Sequence, residues 1–348
     1  MRHRRCLAIT TPEGSGQAVH PDVLEVPAGH LGYRYWMACT PYPFGDDRHE
    51  NPVLRVSHDG INWQRLIGAP DPLVPAPEQA DWHHADTDLV LHEGVLHVYY
   101  ITTQCEGART VFSVITSRDG VHWTAPQVVY RAAWGVSPAV LVHMGNWYLW
   151  YVWRDTNSTD PRSSLRLRSG TSAFEFGGDR RCELELPGME VWHIDVIADG
   201  DAFEALVAAF PTGTDPSRSR VFHVRSSDGL RFVPTSTAPL ISPSWFGWDD
   251  RMVYRSTMVR RDDGGYRVWY SAASWGMRCG IGLLEGPIDS LQDQGGAVHG
   301  AGVPVTRRLA EDLAGAAKYV VSRLLSPAAY RRLLLARNRV RHLLGGAR

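Results

Sequence analysis

The stretch His20-Pro21-Asp22-Val23-Leu24-Glu25-Val26 decides the fold, because it is a short apolar strand that opens with a carboxylate and the chain repeats it. Thr87-Asp88-Leu89-Val90-Leu91 and His193-Ile194-Asp195-Val196-Ile197 have the same pattern. Two further units, Ser137-Pro138-Ala139-Val140-Leu141-Val142 and Arg255-Ser256-Thr257-Met258-Val259, occupy corresponding places without the acid. These five units predict a repeat protein whose repeats meet around one acidic centre.

Each unit continues with strand-length runs of β-branched and aromatic residues that are separated by turn residues. The units begin roughly 50–65 residues apart, which suits a four-stranded propeller blade with its loops. A turn of the pattern S-x-D-G-x-x-[WF], which begins at Ser57, Ser117 and Ser226, fits the hairpin between a blade's third and fourth strands. The last unit lacks an outer strand, so we expect Arg5 to Thr10 to supply it. The sequence therefore predicts an all-β, five-bladed β-propeller over residues 1–304.

The C-terminal tail, residues 305–348, has a helical pattern and a basic composition. It contains ten basic and two acidic residues, whereas the whole chain has a formal charge of -1. Ser326-Pro327 is typical of a helix start and Gly345-Gly346 of a helix end. Two amphipathic helices are predicted, which either pack on the propeller or on a second copy of the chain, or present a basic surface to anionic lipid.

Composition excludes several classes of protein. With 44% hydrophobic and 21% charged residues the chain is typical of a globular protein, and its near-zero net charge gives no signature of nucleic-acid binding. The five cysteines are scattered and are expected to be reduced and mostly buried. No signal peptide or transmembrane stretch is apparent, so cytoplasmic residence is the expectation.

The three aspartates are predicted to converge. Only the first strand of a blade lines the central channel, and strand alternation puts its start on the same edge as the loop between strands two and three. We therefore expect Asp22, Asp88 and Asp195 to meet at one mouth of the channel. Residues on the strand approaches and on these loops are the candidate substrate-binding set: His20, Glu50, Asn51, His84, Asp86, Arg109, Arg154, Trp192, Arg255 and Trp275. Carboxylates, histidines, arginines and tryptophans around a pit suit a sugar.

His20-Pro21-Asp22, the second aspartate Asp88 and the blade period resemble the five-bladed β-propeller glycoside hydrolases, a group that includes arabinanases, β-xylosidases, invertase-like enzymes and anhydro-galactosidases. The resemblance covers about residues 5–300. It implies that Asp22 is the catalytic base or nucleophile and that Asp88 tunes the general acid.

The general acid is left open between two residues. The family usually has a glutamate on a later blade, and Glu190 is the nearest candidate, but anhydro-galactosidase-like members imply a histidine, here His193 beside Asp195. Two residues apart on a strand, these two side chains face the same side. An imidazole among carboxylates is expected to have a raised pKa, which suits a proton donor.

The sequence thus predicts a glycosidase that acts on an oligo- or polysaccharide, with the arginine-rich rim favouring an acidic glycan. A non-catalytic carbohydrate-binding propeller, such as a surface-recognition or phage-appendage module, is the main alternative, followed by a sialidase-like protein and a protein scaffold that docks through its basic tail. No cofactor is predicted, and no metal, because no ligand cluster in the sequence requires one.

Overall fold

The structure is a computed structural model that describes residues 4–79, 81–104, 109–158, 162–245 and 247–292. Five β-sheets make up almost all of it. The first strands of successive sheets contact one another around a closed ring. The chain is therefore a five-bladed β-propeller, as the repeat pattern predicts.

Blades one to three each contain four antiparallel strands in chain order. Blade one comprises β2 (Ala18–His30), β3 (Tyr33–Pro41), β4 (Val53–Ser57) and β5 (Gln64–Arg65), after a preceding strand β1 (Arg5–Cys6). Blade two comprises β6 (Trp82–His92), β7 (Val95–Gln104), β8 (Thr110–Ser117) and β9 (Gln127–Ala132). Blade three comprises β10 (Gly135–His143), β11 (Asn146–Arg154), β12 (Ser163–Ser172) and β13 (Glu175–Arg181).

Blades four and five depart from this plan at their outer edges. Blade four comprises β14 (Glu183–Leu184), β15 (Met189–Asp199), β16 (Ala202–Pro211), β17 (Arg220–Ser226) and β18 (Arg231–Pro234), and β14 pairs in parallel with β18. Blade five comprises β19 (Met252–Arg260), β20 (Tyr266–Ala273) and β21 (Cys279–Gly286), followed by the short helix α1 (Ile288–Gln292). Within the described ranges, short 3₁₀ turns lie in loops at Pro43–Gly45, Asp47–His49 and Pro216–Arg218.

The N-terminal strand closes the ring. β1 pairs antiparallel with β21, with Arg5 opposite Leu283 and Cys6 opposite Gly282. The Leu7 amide also donates to the Ile281 carbonyl, 2.8 Å away. The prediction that the segment after Arg5 supplies the missing outer strand is confirmed.

The S-x-D-G turns are the hairpins between third and fourth strands. In the first of them the Asp59 carboxylate accepts from the Ile61 and Asn62 amides at 2.8 and 2.7 Å. Gly60 has a φ of 72°, which a side chain would strain, and its carbonyl accepts from the indole N–H of Trp63 at 3.1 Å. The turns at Asp119 and Asp228 repeat the pattern, so these aspartates are framework residues.

A β-bulge interrupts the first strand of every blade near the channel. The pairing register shifts between Val19 and Asp22 in blade one and between Ala85 and Asp88 in blade two, and at corresponding places in the other blades. Pairing continues on both sides of the bulge, so each first strand begins several residues earlier than predicted. The prediction that the aspartates open their strands is wrong: β2 begins at Ala18.

Further predictions concern the C-terminal tail, the cysteines and membrane-spanning helices. The basic tail, residues 305–348, and Cys105 lie outside the described residues. Of the other cysteines, Cys39, Cys182 and Cys279 are buried and Cys6 is exposed, all as free thiols. No helix in the described ranges has the length and apolarity needed to cross a membrane.

Candidate functional site

Two rings of side chains line the channel, one residue from each blade in each ring. The first, which we call the upper ring, lies at the bulges and consists of His20, Asp86, Ser137, His193 and Arg255. The second, which we call the deep ring, lies two residues further along each strand and consists of Asp22, Asp88, Ala139, Asp195 and Thr257. The upper ring is nearer the loops between second and third strands, because His20 contacts Glu50 from such a loop.

The upper ring holds a group of metal-ligand type. One potential ligand atom from each of His20, Asp86 and His193 lies within 4.8 Å of the other two. His20 Nε2 is 3.3 Å from Asp86 Oδ1, and His193 Nδ1 is 3.7 Å from the same oxygen. All three residues are at most 6% exposed. The bulge aims them together, and His20 and Asp86 adopt a positive φ there, 53° and 48°, which is uncommon for residues other than glycine.

Burial keeps the two histidines of this group neutral. Desolvation outweighs the nearby Asp86 and lowers the pKa of His20 to about 4 and that of His193 to about 3. Burial acts in the opposite direction on Asp86, but the two histidines and Arg255 outweigh it and lower its pKa overall. The expectation of a raised pKa for His193 is therefore wrong, because at this depth burial dominates over the carboxylate. Neutral imidazoles beside an ionised carboxylate are what a metal ion needs as ligands.

Partners further out orient this group. His20 Nδ1 lies 3.0 Å from the Thr40 hydroxyl, which leaves Nε2 to face Asp86. Neither ring nitrogen of the buried His193 has a hydrogen-bond partner. A buried polar group without a partner is costly, so the orphaned imidazole favours a ligand at this position. The donor set of two imidazoles and a carboxylate fits a first-row divalent metal ion. The sequence predicts no metal, because strand spacing alone does not show that the bulge brings these three residues together.

Glu50 adds a carboxyl group beside the upper ring. It lies just after the 3₁₀ turn Asp47–His49, with Oε1 3.7 Å from His20 Nδ1 and Oε2 3.6 Å from His83 Nε2. Burial and then the negative charge of Asp86 raise the pKa of Glu50 well above its usual range. A carboxyl group with a raised pKa can both donate and accept a proton near neutral pH.

The deep ring brings together the three aspartates that the sequence singles out. One oxygen from each of Asp22, Asp88 and Asp195 lies within 4.8 Å of the other two, so their predicted convergence is confirmed. They are 6%, 2% and 4% exposed and lie beneath the upper ring, not at the mouth. Their catalytic roles stay predictions.

The deep ring also joins neighbouring blades. The Leu89 amide of blade two donates to Asp22, and the Val140 amide of blade three donates to Asp88 at 3.0 Å. Thr257 connects blade five to blade one, because its hydroxyl donates to Asp22 at 3.0 Å and accepts from the Val23 amide at 3.4 Å. These bonds connect the inner strands around the channel.

The deep carboxyl groups resist ionisation. Burial and then the charge of Asp22 raise the pKa of Asp195 to about 7 and that of Asp88 well above its usual range. Burial likewise raises the pKa of Asp22. Crowded, buried carboxyl groups hold protons that isolated ones would lose.

Arg255 crosses the channel and is fully buried. Its Nη1 donates to the Ser137 hydroxyl at 2.8 Å, and Nη2 donates to the Pro138 carbonyl at 2.9 Å. Nη2 also lies 3.4 Å from Asp88 Oδ1. The Arg255 guanidinium thus connects blade five to blades two and three, between the two rings. This is a framework role, whereas the sequence predicts a substrate-binding role for Arg255.

Tyr254 is the residue of this site that the sequence analysis misses. It is 1% exposed, and its hydroxyl has no hydrogen-bond partner. Its ring packs against the rings of His20 and His193 at 5.5 and 5.8 Å and stacks on Trp192 at 5.4 Å. A tyrosine reads as an ordinary strand residue in the sequence, but its place immediately before Arg255 marked it as a neighbour of the ring.

Of the two neighbouring histidines at the start of β6, His83 reaches the site and His84 does not. His84 Nδ1 lies 2.9 Å from the Thr102 hydroxyl and Nε2 lies 3.0 Å from the Pro75 carbonyl, so it is part of the wall. His83 instead contacts Glu50. The bulge between Ala85 and Asp88 breaks the alternation that the prediction assumes.

The remaining candidates lie around the rim or in the walls. Glu190 is partly exposed and lies near the beginning of β15. Within the described part of the chain, it forms no ion pair or hydrogen bond with a residue of either ring. Asn51 is buried with an unpartnered Oδ1. Arg109 is exposed, Arg154 packs over the Trp134 ring, and Trp275 is 70% exposed. The structure thus gathers His20, Glu50, Asp86, Trp192 and His193 at the upper ring, places Arg255 in the ring as a framework residue, and leaves the other substrate-binding candidates in the walls or on the rim.

Fold and channel together place the chain among the five-bladed β-propellers, and the resemblance to glycoside hydrolases of this architecture is confirmed at the level of fold. No family model matches the chain. A curated relative from Flavonifractor plautii, the A type blood N-acetyl-alpha-D-galactosamine deacetylase, is 26% identical over 311 residues. The match covers 74% of this chain but spans only 40% of that relative's length.

Solved structures share the fold. A crystal structure of an N-acetylgalactosamine deacetylase from F. plautii, in complex with blood group B trisaccharide, has a TM-score of 0.73 at 22% identity and covers 85% of this chain and 99% of that one. An exo-1,5-alpha-L-arabinanase from a bovine ruminal metagenomic library has a TM-score of 0.53 at 13% identity, covering 81% and 95% of the two chains.

Proposed function

We propose that this chain is a carbohydrate-processing hydrolase whose upper ring removes an acetyl group from an N-acetylated sugar. The observation that carries the proposal is the upper ring itself, where two neutral buried imidazoles and one ionised carboxylate converge within 4.8 Å. The similarity to a deacetylase of N-acetyl-galactosamine supports the substrate class.

The residues of the pocket fit hydrolysis of an amide. His20, Asp86 and His193 would hold a divalent ion, which when bound supplies Lewis-acid polarisation of a carbonyl oxygen. Glu50 is placed to accept a proton from the attacking water and to return it to the departing amine, so that the C–N bond breaks as acetate forms. The unpartnered hydroxyl of Tyr254 can donate to the carbonyl oxygen as negative charge develops on it. Trp192, stacked on Tyr254, offers an apolar face to the sugar ring.

Hydrolysis of a glycosidic bond is the second candidate. The observation in its favour is the raised pKa of the deep-ring carboxyl groups, a property expected of a general acid. One oxygen from each lies within 4.8 Å of the other two, which is compatible with the roughly 5–5.5 Å separation of a retaining glycosidase and too close for the 6.5–9.5 Å of an inverting one. Their depth opposes it, because they lie beneath the upper ring and a substrate entering from that edge would reach the upper ring first.

The test measures two products from the full chain. It is incubated with N-acetylgalactosamine-terminated oligosaccharides and with aryl glycosides, and both acetate and released aglycone are measured. We expect acetate, with activity lost on chelation and restored by added divalent metal. Asp86→Asn removes one of the three proposed ligands and should lower kcat/KM by more than about 100-fold, the upper end of the loss when only a group supporting a ligand is removed.

Asp228→Asn is the matched control, because Asp228 is a turn aspartate remote from the channel. It should keep full activity. Release of aglycone without acetate would favour the glycosidase, and sugar binding with neither product would favour a binding propeller. Acetate release that is indifferent to Asp86 would end the proposal. The acidic character of the glycan, cytoplasmic residence and membrane or self-association through the tail stay proposals.

A further inference from the structure

Two tryptophans are exposed on the mouth side of the propeller. Trp245 and Trp275 are 76% and 70% exposed, and among the described residues they are the tryptophans with the greatest exposure. Trp275 lies in the loop between β20 and β21, the second and third strands of blade five. Trp245 precedes β19, in the connection from the fourth strand of blade four to the first strand of blade five. Both loops lie on the edge where first strands begin, which is the edge of the upper ring.

Hydrogen bonds hold the two loops together. Asp250 accepts from the Trp275 amide at 3.1 Å through Oδ1 and from the Gly247 amide at 3.2 Å through Oδ2. The Ser244 amide donates to the Asp249 carbonyl at 3.0 Å, which closes the loop that carries Trp245. The two indoles are therefore displayed by one hydrogen-bonded unit of backbone, not by independent loops.

A guanidinium group lies beside Trp275. The Arg251 guanidinium is 5.7 Å from the Trp275 ring centroid, and the Arg251 side chain is partly exposed. An exposed indole face with an adjacent guanidinium is suited to a sugar, which presents an apolar C–H face and hydroxyl oxygens at its edge.

The distance of Arg251 from the upper ring indicates which part of a glycan this surface would bind. Arg251 lies immediately before β19 and precedes Tyr254 by three residues, which is roughly 10 Å at about 3.3 Å per extended residue. A group that far from the reacting centre contacts a neighbouring residue of an oligosaccharide, not the reacting sugar itself. Large exposed apolar side chains at the edge of a pocket typically mark a ligand surface.

We infer that Trp245, Arg251 and Trp275 form a second sugar subsite, which binds the residue next to the reacting sugar and selects oligosaccharides over monosaccharides. The inference rests on the proposed function for the identity of the reacting sugar, but the subsite is defined by sugar binding and not by the bond that is cleaved.

The test compares two ligands on the full chain, a trisaccharide that ends in N-acetylgalactosamine and the methyl glycoside of N-acetylgalactosamine. Binding is measured by calorimetric titration, and acetate release is measured in parallel. Trp275→Ala should weaken trisaccharide binding by about tenfold, a scale typical of one aromatic contact, and should leave the affinity for the methyl glycoside unchanged. Trp275→Phe should keep most of the wild-type affinity for the trisaccharide. Trp245→Ala should weaken trisaccharide binding by less than Trp275→Ala does.

Phe174→Ala is the matched control, because Phe174 is also an exposed aromatic residue but lies in the hairpin between β12 and β13, on the opposite edge. It should change neither affinity. Equal losses for both ligands, an equal loss in Phe174→Ala, or no trisaccharide binding by the wild type would overturn the subsite. If Trp275→Ala weakens only trisaccharide binding and the wild type releases no acetate, the subsite is retained and the deacetylase proposal is overturned. If the wild type releases acetate but Trp275→Ala binds the trisaccharide as tightly as the wild type does, the deacetylase proposal is retained and the subsite is overturned.

Discussion

The upper and deep rings are two residues apart on the same strands, yet their chemistry differs. In the upper ring, His193 has no hydrogen-bond partner and the carboxylate of Asp86 is ionised. In the deep ring, Asp22 and Asp88 accept amide hydrogens from the next blade and have raised pKa values. Both layers bond to the next blade, since Asp86 also accepts from the Ser137 amide at 2.7 Å, but only the upper layer combines an ionised carboxylate with an imidazole that has no hydrogen-bond partner. Convergence of acids on an axis does not by itself identify the catalytic ones.

The largest effect on stability should come from the residue between the rings. Arg255→Met removes a fully buried cation and leaves Asp88 and the Pro138 carbonyl without its donors. We expect the free energy of unfolding to fall by about 3–5 kcal/mol, as for breaking other buried pairs, measured by urea denaturation. Arg34→Met, which removes a surface partner of Glu25, should change it little. Equal stability of the two variants would contradict a framework role for Arg255.

Tyr254→Phe separates reactivity from stability within the upper ring. Because the hydroxyl has no partner in the folded protein, its loss should leave the melting temperature unchanged. Loss of one donor to a developing oxyanion should lower kcat by about 10²–10³-fold. Tyr270→Phe is the reverse control, since that buried hydroxyl donates to Asp249 at 3.0 Å. It should lower stability and keep kcat, and an unchanged kcat in Tyr254→Phe would remove the residue from the mechanism.

The smallest effect concerns a buried acid with a complete set of partners. Glu204 is fully buried and accepts from Arg225, Arg260 and Tyr266. Burial alone would raise its pKa, but the polar groups around it, the nearby His223 imidazole among them, outweigh burial and lower the pKa below its usual range. A depressed pKa contributes stability that is present above the unfolded value of about 4.3 and is lost as the pH falls below it.

Glu204→Gln should therefore flatten the acid limb of the stability curve while leaving the upper ring intact. Thermal melts of the variant and the wild type between pH 3 and 7 measure this. The wild-type advantage should shrink as the pH falls below about 4.3, and a difference that stays constant over this range would contradict the assignment.

The sequence predicts the fold well because its signals are local. Repeated strands, the turns at Asp59, Asp119 and Asp228 and the closing strand after Arg5 are all confirmed. Rotational repetition also predicts that Asp22, Asp88 and Asp195 meet. Each of these inferences needs only the repeat length and the turn residues, which can be read directly from the sequence.

The site is predicted less well because it depends on non-local structure. The bulge between Ala85 and Asp88 arises from pairing between β6 and β7 and has no marker in the sequence, so the sequence does not show that His83 and not His84 reaches the site. The pKa of His193 depends on burial depth, which reverses the direction expected from neighbouring carboxylates. Tyr254 becomes a candidate only when its hydroxyl is found without a partner.

The closing strand β1 has a consequence for how the protein forms. Its partner β21 lies more than two hundred residues later in the chain, so the circle cannot seal until the fifth blade has left the ribosome. Between the emergence of β21 and its pairing with β1, the outer edge of β21 presents unpaired backbone, which is a template for pairing with other chains. A shortened N-terminus would leave that edge open permanently, and aggregation during expression would be its first sign.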